Sequence, residues 1–122
     1  MSNKIQPVGE LTQKKWDAWI QALESEKYKQ WIGGYFRKDS FERDTKMCCL
    51  TVAAVTWDVI EYPVVDNLDQ PLLQSILEEV LGIDMISKCI KMNDTTRLPF
   101  KEIAAHLKGY KIIDGKPSKI EA

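Results

Sequence analysis

At 122 residues, with 44% hydrophobic and 29% charged side chains, the chain has the size of one domain and the composition of a folded protein, not of a disordered one. That length buries a core without metals or disulfides. A formal net charge of −1 offers no basic footprint for nucleic acid and no polybasic tail for an anionic membrane, although a homodimer would assemble a basic face that net charge hides.

Residues 1–10 are polar, with Pro7 and Gly9, and read as a flexible N-terminal arm. They lack the charged start and apolar stretch of a signal peptide, and no segment reaches membrane-spanning length, so a cytosolic setting without a membrane partner is expected. Three cysteines, an odd number, fit reduced thiols there better than a disulfide framework. Thr12 predicts a helix cap, with Leu11 stapled onto Trp16 four residues into the helix. Trp16, Trp19, Ile20 and Leu23 recur at helical spacing, and the helix is expected to end near Ser25 or Glu26.

From Tyr28 to Lys46 the periodicity dissolves. Gly33-Gly34 punctuates the segment, which reads either as a small hairpin, with Trp31-Ile32 and Tyr35-Phe36 as arms, or as a structured loop. Arg37 to Lys46 mixes basic and acidic side chains in the manner of a solvated loop.

Cys48 to Glu61, CCLTVAAVTWDVIE, is the longest nearly unbroken apolar run. It predicts a central helix buried almost all round, with Thr51, Ala54 and Asp58 on its one solvent-facing stripe. Its valines and threonines also suit a strand; its length favours the helix, since strands average about five or six residues. Tyr62-Pro63 is expected to end it.

The clearest helix follows. Asp69 caps it, Pro71 sits in its first turn and Gly82 stands just past its end. Leu72, Leu73, Ile76, Leu77, Val80 and Leu81 form its apolar face, and Gln74, Ser75, Glu78 and Glu79 face water. A short helix over 84–92 carries Met85, Ile86, Cys89, Ile90 and Met92 on one side, and Asn93-Asp94 then turns the chain. A last helix begins at Pro99, buries Phe100, Ile103, Ala104 and Leu107, and stops at Gly109. The stretch from Tyr110 adds one short strand or packs loosely, and 114–122 reads as a polar tail.

Few residues here suggest chemistry. Adjacent Cys48 and Cys49 diverge by about 100° on a helix and chelate poorly, so with Cys89 they read as buried apolar thiols and no metal site or cofactor is expected. His106 falls opposite the apolar face of its helix and reads as a surface residue. Trp16, Trp19 and Trp57 point inward. Trp31, Tyr35 and Phe36, beside a double glycine and near Arg37 and Arg43, are the candidate partner-binding residues, as exposed aromatics with arginine anchor interfaces. The same aromatics also suit stacking against a nucleotide.

One set of features, taken in order, resembles a group of small uncharacterised proteins encoded by tailed bacteriophages. The matching pieces are Trp19 with Leu23 and Ser25, Tyr28 with Gln30, Arg37, Cys48-Cys49-Leu50 with Val52, Asn93-Asp94, and Phe100-x-Glu102-Ile103-Ala104. The resemblance covers about residues 12–108. Glu26 and Thr51 stand where the group has glycines, and Pro99 where it has the serine that would cap the last helix. The group carries no established activity, so the resemblance implies origin, not mechanism: a phage protein working in the cytoplasm of an infected bacterial host.

These observations predict a mainly α, compact single domain over 11–113 around a buried central helix, with room for one small β-hairpin. The expected function is that of a non-enzymatic phage accessory protein that binds and modulates a host macromolecule, as in host takeover or anti-defence. The alternative is a small-ligand module for a nucleotide-type molecule.

Overall fold

The computed structural model describes residues 5–38, 45–62, 64 and 68–120. Its first helix, α1, spans Gln13–Glu24 and begins as the sequence predicts: the Thr12 hydroxyl accepts from Lys15 N at 3.2 Å. Leu11, Trp16, Trp19, Ile20 and Leu23 are all buried. Ser25 caps its far end, and Glu26 then turns left-handed at φ +60°. A side chain in that region is strained, whereas glycine is not. Glu26→Gly is therefore expected to raise the melting temperature by roughly 2–5 °C in a calorimetric scan. The exposed pair of Glu26 with Lys101, at 2.9 Å, is a small loss against that gain.

Three short strands follow: β1 (Lys29–Gln30), β2 (Phe36–Lys38) and β3 (Thr45–Met47). They form one sheet in the order β1-β3-β2, with β1 parallel and β2 antiparallel to β3. Of the two readings of the Gly33-Gly34 segment, hairpin or structured loop, the loop holds, and no hairpin forms across the glycines. Trp31 N donates to Met47 O and Cys48 N donates to Tyr35 O, so both expected arms hydrogen-bond to the segment entering the central helix rather than to each other.

The central helix, α2, spans Cys49–Thr56 and is shorter than expected. Asp58 adopts φ +58° and Val59 N returns to Ala54 O at 2.9 Å, so the helix closes before Tyr62. A short polar side chain tolerates that left-handed turn. Pro63 lies outside the described residues. The solvent-facing stripe is also corrected. Only Asp58 is exposed; Thr51 and Ala54 are fully buried, and the Thr51 hydroxyl donates to Tyr35 O at 2.6 Å.

Helix α3 (Gln70–Leu81) has the predicted ends: Asp69 accepts from Leu72 N, and Gly82, at φ +86°, closes it. Leu72 departs from the expected face and is 46% exposed. Helix α4 (Ile83–Ile90) runs into a π-helical turn over Lys91–Thr95, where Thr96 N reaches back five residues to Lys91 O. Ile90, expected inside, is 40% exposed. Helix α5 (Phe100–Leu107) buries the four residues predicted for it, with Pro99 one place earlier, as its cap residue.

The chain then forms a real hairpin. β4 (Tyr110–Ile113) pairs antiparallel with β5 (Lys116–Lys119) across Asp114-Gly115, both at positive φ as a tight two-residue turn requires. The boundary expected at 113 thus falls inside a hairpin, and residues 116–119 are strand, not loose tail. The described part of the N-terminal arm is docked as well: Val8 is buried, Gln6 N donates to Val59 O, and Lys15 Nζ donates to Val8 O and Glu10 O.

The fold is mainly helical and compact, with this small hairpin at its C-terminal end. Its core centres on three indoles. Trp19 meets Trp16 and Trp57 edge-to-face, with centroids 5.2 and 5.5 Å away. Each indole N–H donates to a backbone carbonyl: Trp16 to Leu107, Trp19 to Cys49 and Trp57 to Lys15.

Candidate partner-binding surface

The segment expected to bind a partner is held from beneath by Asn93. This side chain is 1% exposed and uses both ends of its amide. Its Oδ1 accepts from Gln30 Nε2 at 2.9 Å and from Cys49 N at 3.3 Å. Its Nδ2 donates to Trp31 O and to Asp94 Oδ1, each at 2.8 Å. Asp94 Oδ1 also accepts from Gly33 N at 3.0 Å. Helix α2 has no side-chain cap of its own, so Asn93 satisfies one of its orphan amides from 44 residues away. The π-helical turn puts Asn93 there, by displacing the backbone from ordinary helical register.

Sequence reasoning missed this role. Asn-Asp after an apolar stretch has the composition of a turn, and the only signal that marked the pair was its place in the phage-protein pattern. Three pieces of that pattern, Gln30, Cys49 and Asn93-Asp94, meet in this one hydrogen-bonded cluster.

Above the cluster, the candidate residues separate. Trp31 is half-buried, and the Arg37 guanidinium lies over its ring at 5.1 Å from the centroid. Ile32, between Trp31 and the glycines, is 38% exposed. Phe36 is half-buried: its register partner is the fully buried Met47, and it packs in part against the core. Tyr35 also turns inward in part. Its hydroxyl is buried without a hydrogen-bond partner among the described residues, and burial pushes its phenol up to about 12. Arg43 lies outside the described residues, as does Phe41.

Beside Tyr35 is a small cavity of about 60 Å³, lined by Cys48, Cys49, Cys89, Leu50, Ile90 and Asn93 among others. The three thiols line this cavity and are all buried. Burial pushes the Cys48 thiol up to about 11, only partly offset by its contact with the Thr51 hydroxyl at 3.5 Å. A hydrogen bond to Cys89, added to burial, holds Cys49 well above the ordinary thiol range. His106 is exposed on α5, on the face away from the core. Among the described residues, no group of three His, Cys, Asp or Glu side chains is placed to hold a metal ion. No helix among them is long and apolar enough to cross a membrane.

Thiol labelling tests this arrangement. A rise from 9.0 to about 11 leaves Cys48 with about 100-fold less thiolate near neutral pH. Native protein should react with iodoacetamide at least about 100-fold more slowly than denatured protein, in which all three thiols should label. Cys48 binds its proton more tightly folded than unfolded, so its contribution to stability is complete below pH 9.0 and is lost as pH rises towards about 11. Denaturant midpoints across that window should fall, and less so in Cys48→Ala.

In comparisons with protein-family models, curated proteins and solved structures, nothing matches this chain.

Proposed function

We propose that this protein is a non-enzymatic accessory protein of a tailed bacteriophage that works in the host cytoplasm by binding and modulating a host macromolecule. The observation that carries the reading is the preorganised surface at residues 31–37. Its backbone is tied at Trp31 O and Gly33 N to the buried Asn93-Asp94 pair, and it presents Ile32 and the stacked Trp31–Arg37 couple to solvent. A loop fixed before binding loses little conformational freedom on docking, and aromatic and arginine side chains supply most hot spots.

Two findings support the phage resemblance. Three of the pattern's pieces, Gln30, Cys49 and Asn93-Asp94, meet in one cluster, and Glu26, where the group has glycine, adopts the left-handed conformation that glycine suits. The nucleotide alternative draws no support from the thiol-lined cavity. Its volume of about 60 Å³ is far below the roughly 300–1,000 Å³ of pockets that enclose such ligands.

Affinity capture from bacterial host lysate tests the proposal. The wild-type chain should retain a defined partner, and Trp31→Ala with Arg37→Ala should release it while folding normally. Recovery of no partner, or equal recovery by the double variant, overturns it.

A further inference from the structure

The strand register makes a feature that the sequence does not display. Lys46 on the middle strand is the register partner of Lys29 on one side and Arg37 on the other. Its neighbour Met47 is likewise partnered by Gln30 and Phe36. Met47 is fully buried, so the Gln30-Met47-Phe36 row faces the core. Side chains alternate along a strand, so Lys29, Lys46 and Arg37 form a second row on the outer face. Lys29 and Arg37 are exposed and Lys46 is half-buried. Trp31, two residues beyond Lys29, joins this face through its contact with Arg37.

Three cations in direct cross-strand register repel one another. Arg37 and Lys46 also interact elsewhere within the chain, so an incoming ligand adds to or exchanges with those contacts. The row is a local concentration of positive charge on a chain whose net charge is −1.

We infer that this outer face docks an acidic helix of the partner protein, with carboxylates at i, i+4 and i+7 set against Lys29, Lys46 and Arg37. The inference rests on the reading that the Trp31–Arg37 surface binds a macromolecule, and it names the chemistry of that partner. Spacing selects the helix. Cross-strand neighbours stand about 4.5–5.5 Å apart at Cβ. Residues three or four apart on a helix stand about 5–6 Å apart. Same-face residues of an extended strand repeat only every 6.5–7 Å or so, and three of them drift out of step with the row. Nucleic acid fits less well. Three cations are few beside the roughly six to ten phosphate contacts that sustain duplex binders, and Arg37 already covers the Trp31 ring on which a base would stack.

The test is an NMR titration of the full-length, isotope-labelled protein at low salt, suited to weak binding. The probes are an alanine-based helical peptide with glutamates at i, i+4 and i+7, a peptide of the same composition with glutamates at alternate positions, and a single-stranded oligonucleotide. The helical peptide should shift the amides of Lys29, Arg37 and Lys46 and the Trp31 indole, and bind more tightly than either other probe. Lys29→Glu with Lys46→Glu should weaken it by at least about tenfold with the spectrum otherwise folded, and added salt should weaken the wild type. Binding that ignores the two reversals, shifts mapping elsewhere, or preference for the alternating peptide or the oligonucleotide overturns the inference. Failure of the wider reading looks different. Partner capture that depends on Trp31 but survives both charge reversals removes the acidic helix and keeps the binding surface, whereas capture of no partner at all removes the surface.

Discussion

Replacing Asn93 with alanine is expected to cost about 3–5 kcal/mol of folding stability, among the largest losses available to a single polar side chain here. The substitution strips the acceptor from Cys49 N and the donor from Trp31 O, two backbone groups in or beside the buried centre. An orphaned group costs about 1–3 kcal/mol where water does not replace the lost bond, as at the fully buried Cys49. Gln30 and Asp94 lose a partner too, but both have others: Gln30 Nε2 also donates to Leu98 O, and Asp94 accepts from Gly33 N. Urea unfolding measures the total. A loss below about 1 kcal/mol would show that the cluster is incidental.

Asn93→Asp separates geometry from charge. It keeps an acceptor for Cys49 N but sets a second carboxylate against Asp94 and against the Trp31 carbonyl, where the wild type has a donor. Protonation removes the second charge and restores one of the two lost donors, so the new carboxyl should titrate higher folded than unfolded. The variant should therefore be most stable at acidic pH and lose stability as pH rises through that raised pKa. A pH-independent deficit would point to shape alone.

Trp19→Ala is the second large expectation, at about 3–5 kcal/mol by the usual range for emptying a buried aromatic site. Trp19 is fully buried and stands between Trp16 and Trp57, so its loss opens a void that neither rigid neighbour can fill. Trp19→Phe is the milder change. A single phenyl ring keeps part of the packing, but the 2.9 Å bond to Cys49 O and the pyrrole half of the indole go, for about 1–3 kcal/mol. Both variants should reduce the near-ultraviolet circular dichroism of the coupled indoles. Because Trp19 bonds Cys49 O and Asn93 bonds Cys49 N, the Trp19→Phe and Asn93→Ala losses should not add, and a double-mutant cycle would expose the coupling.

The sequence by itself determined the elements whose signals are local. Thr12, Asp69 and Gly82 mark helix ends through bonds and torsions within a few residues, and the α1 and α5 faces follow from the 3.6-residue period. Burial of the thiols and the three indoles follows from the same patterns. The tertiary structure decided what depends on a distant cover. Thr51 counts as polar in any pattern, yet it is fully buried and Tyr35 O takes its hydrogen bond. Phe36 and Arg37, one residue apart, go to opposite faces only because Thr45–Met47 pairs beside them. Asn93 is a turn residue by composition and a buried tie in the fold, because the peptide groups it satisfies belong to segments 44 and 62 residues away. Periodicity reports which face of a segment avoids water; it carries no information about which remote backbone needs a partner, and here that need shapes the proposed binding surface.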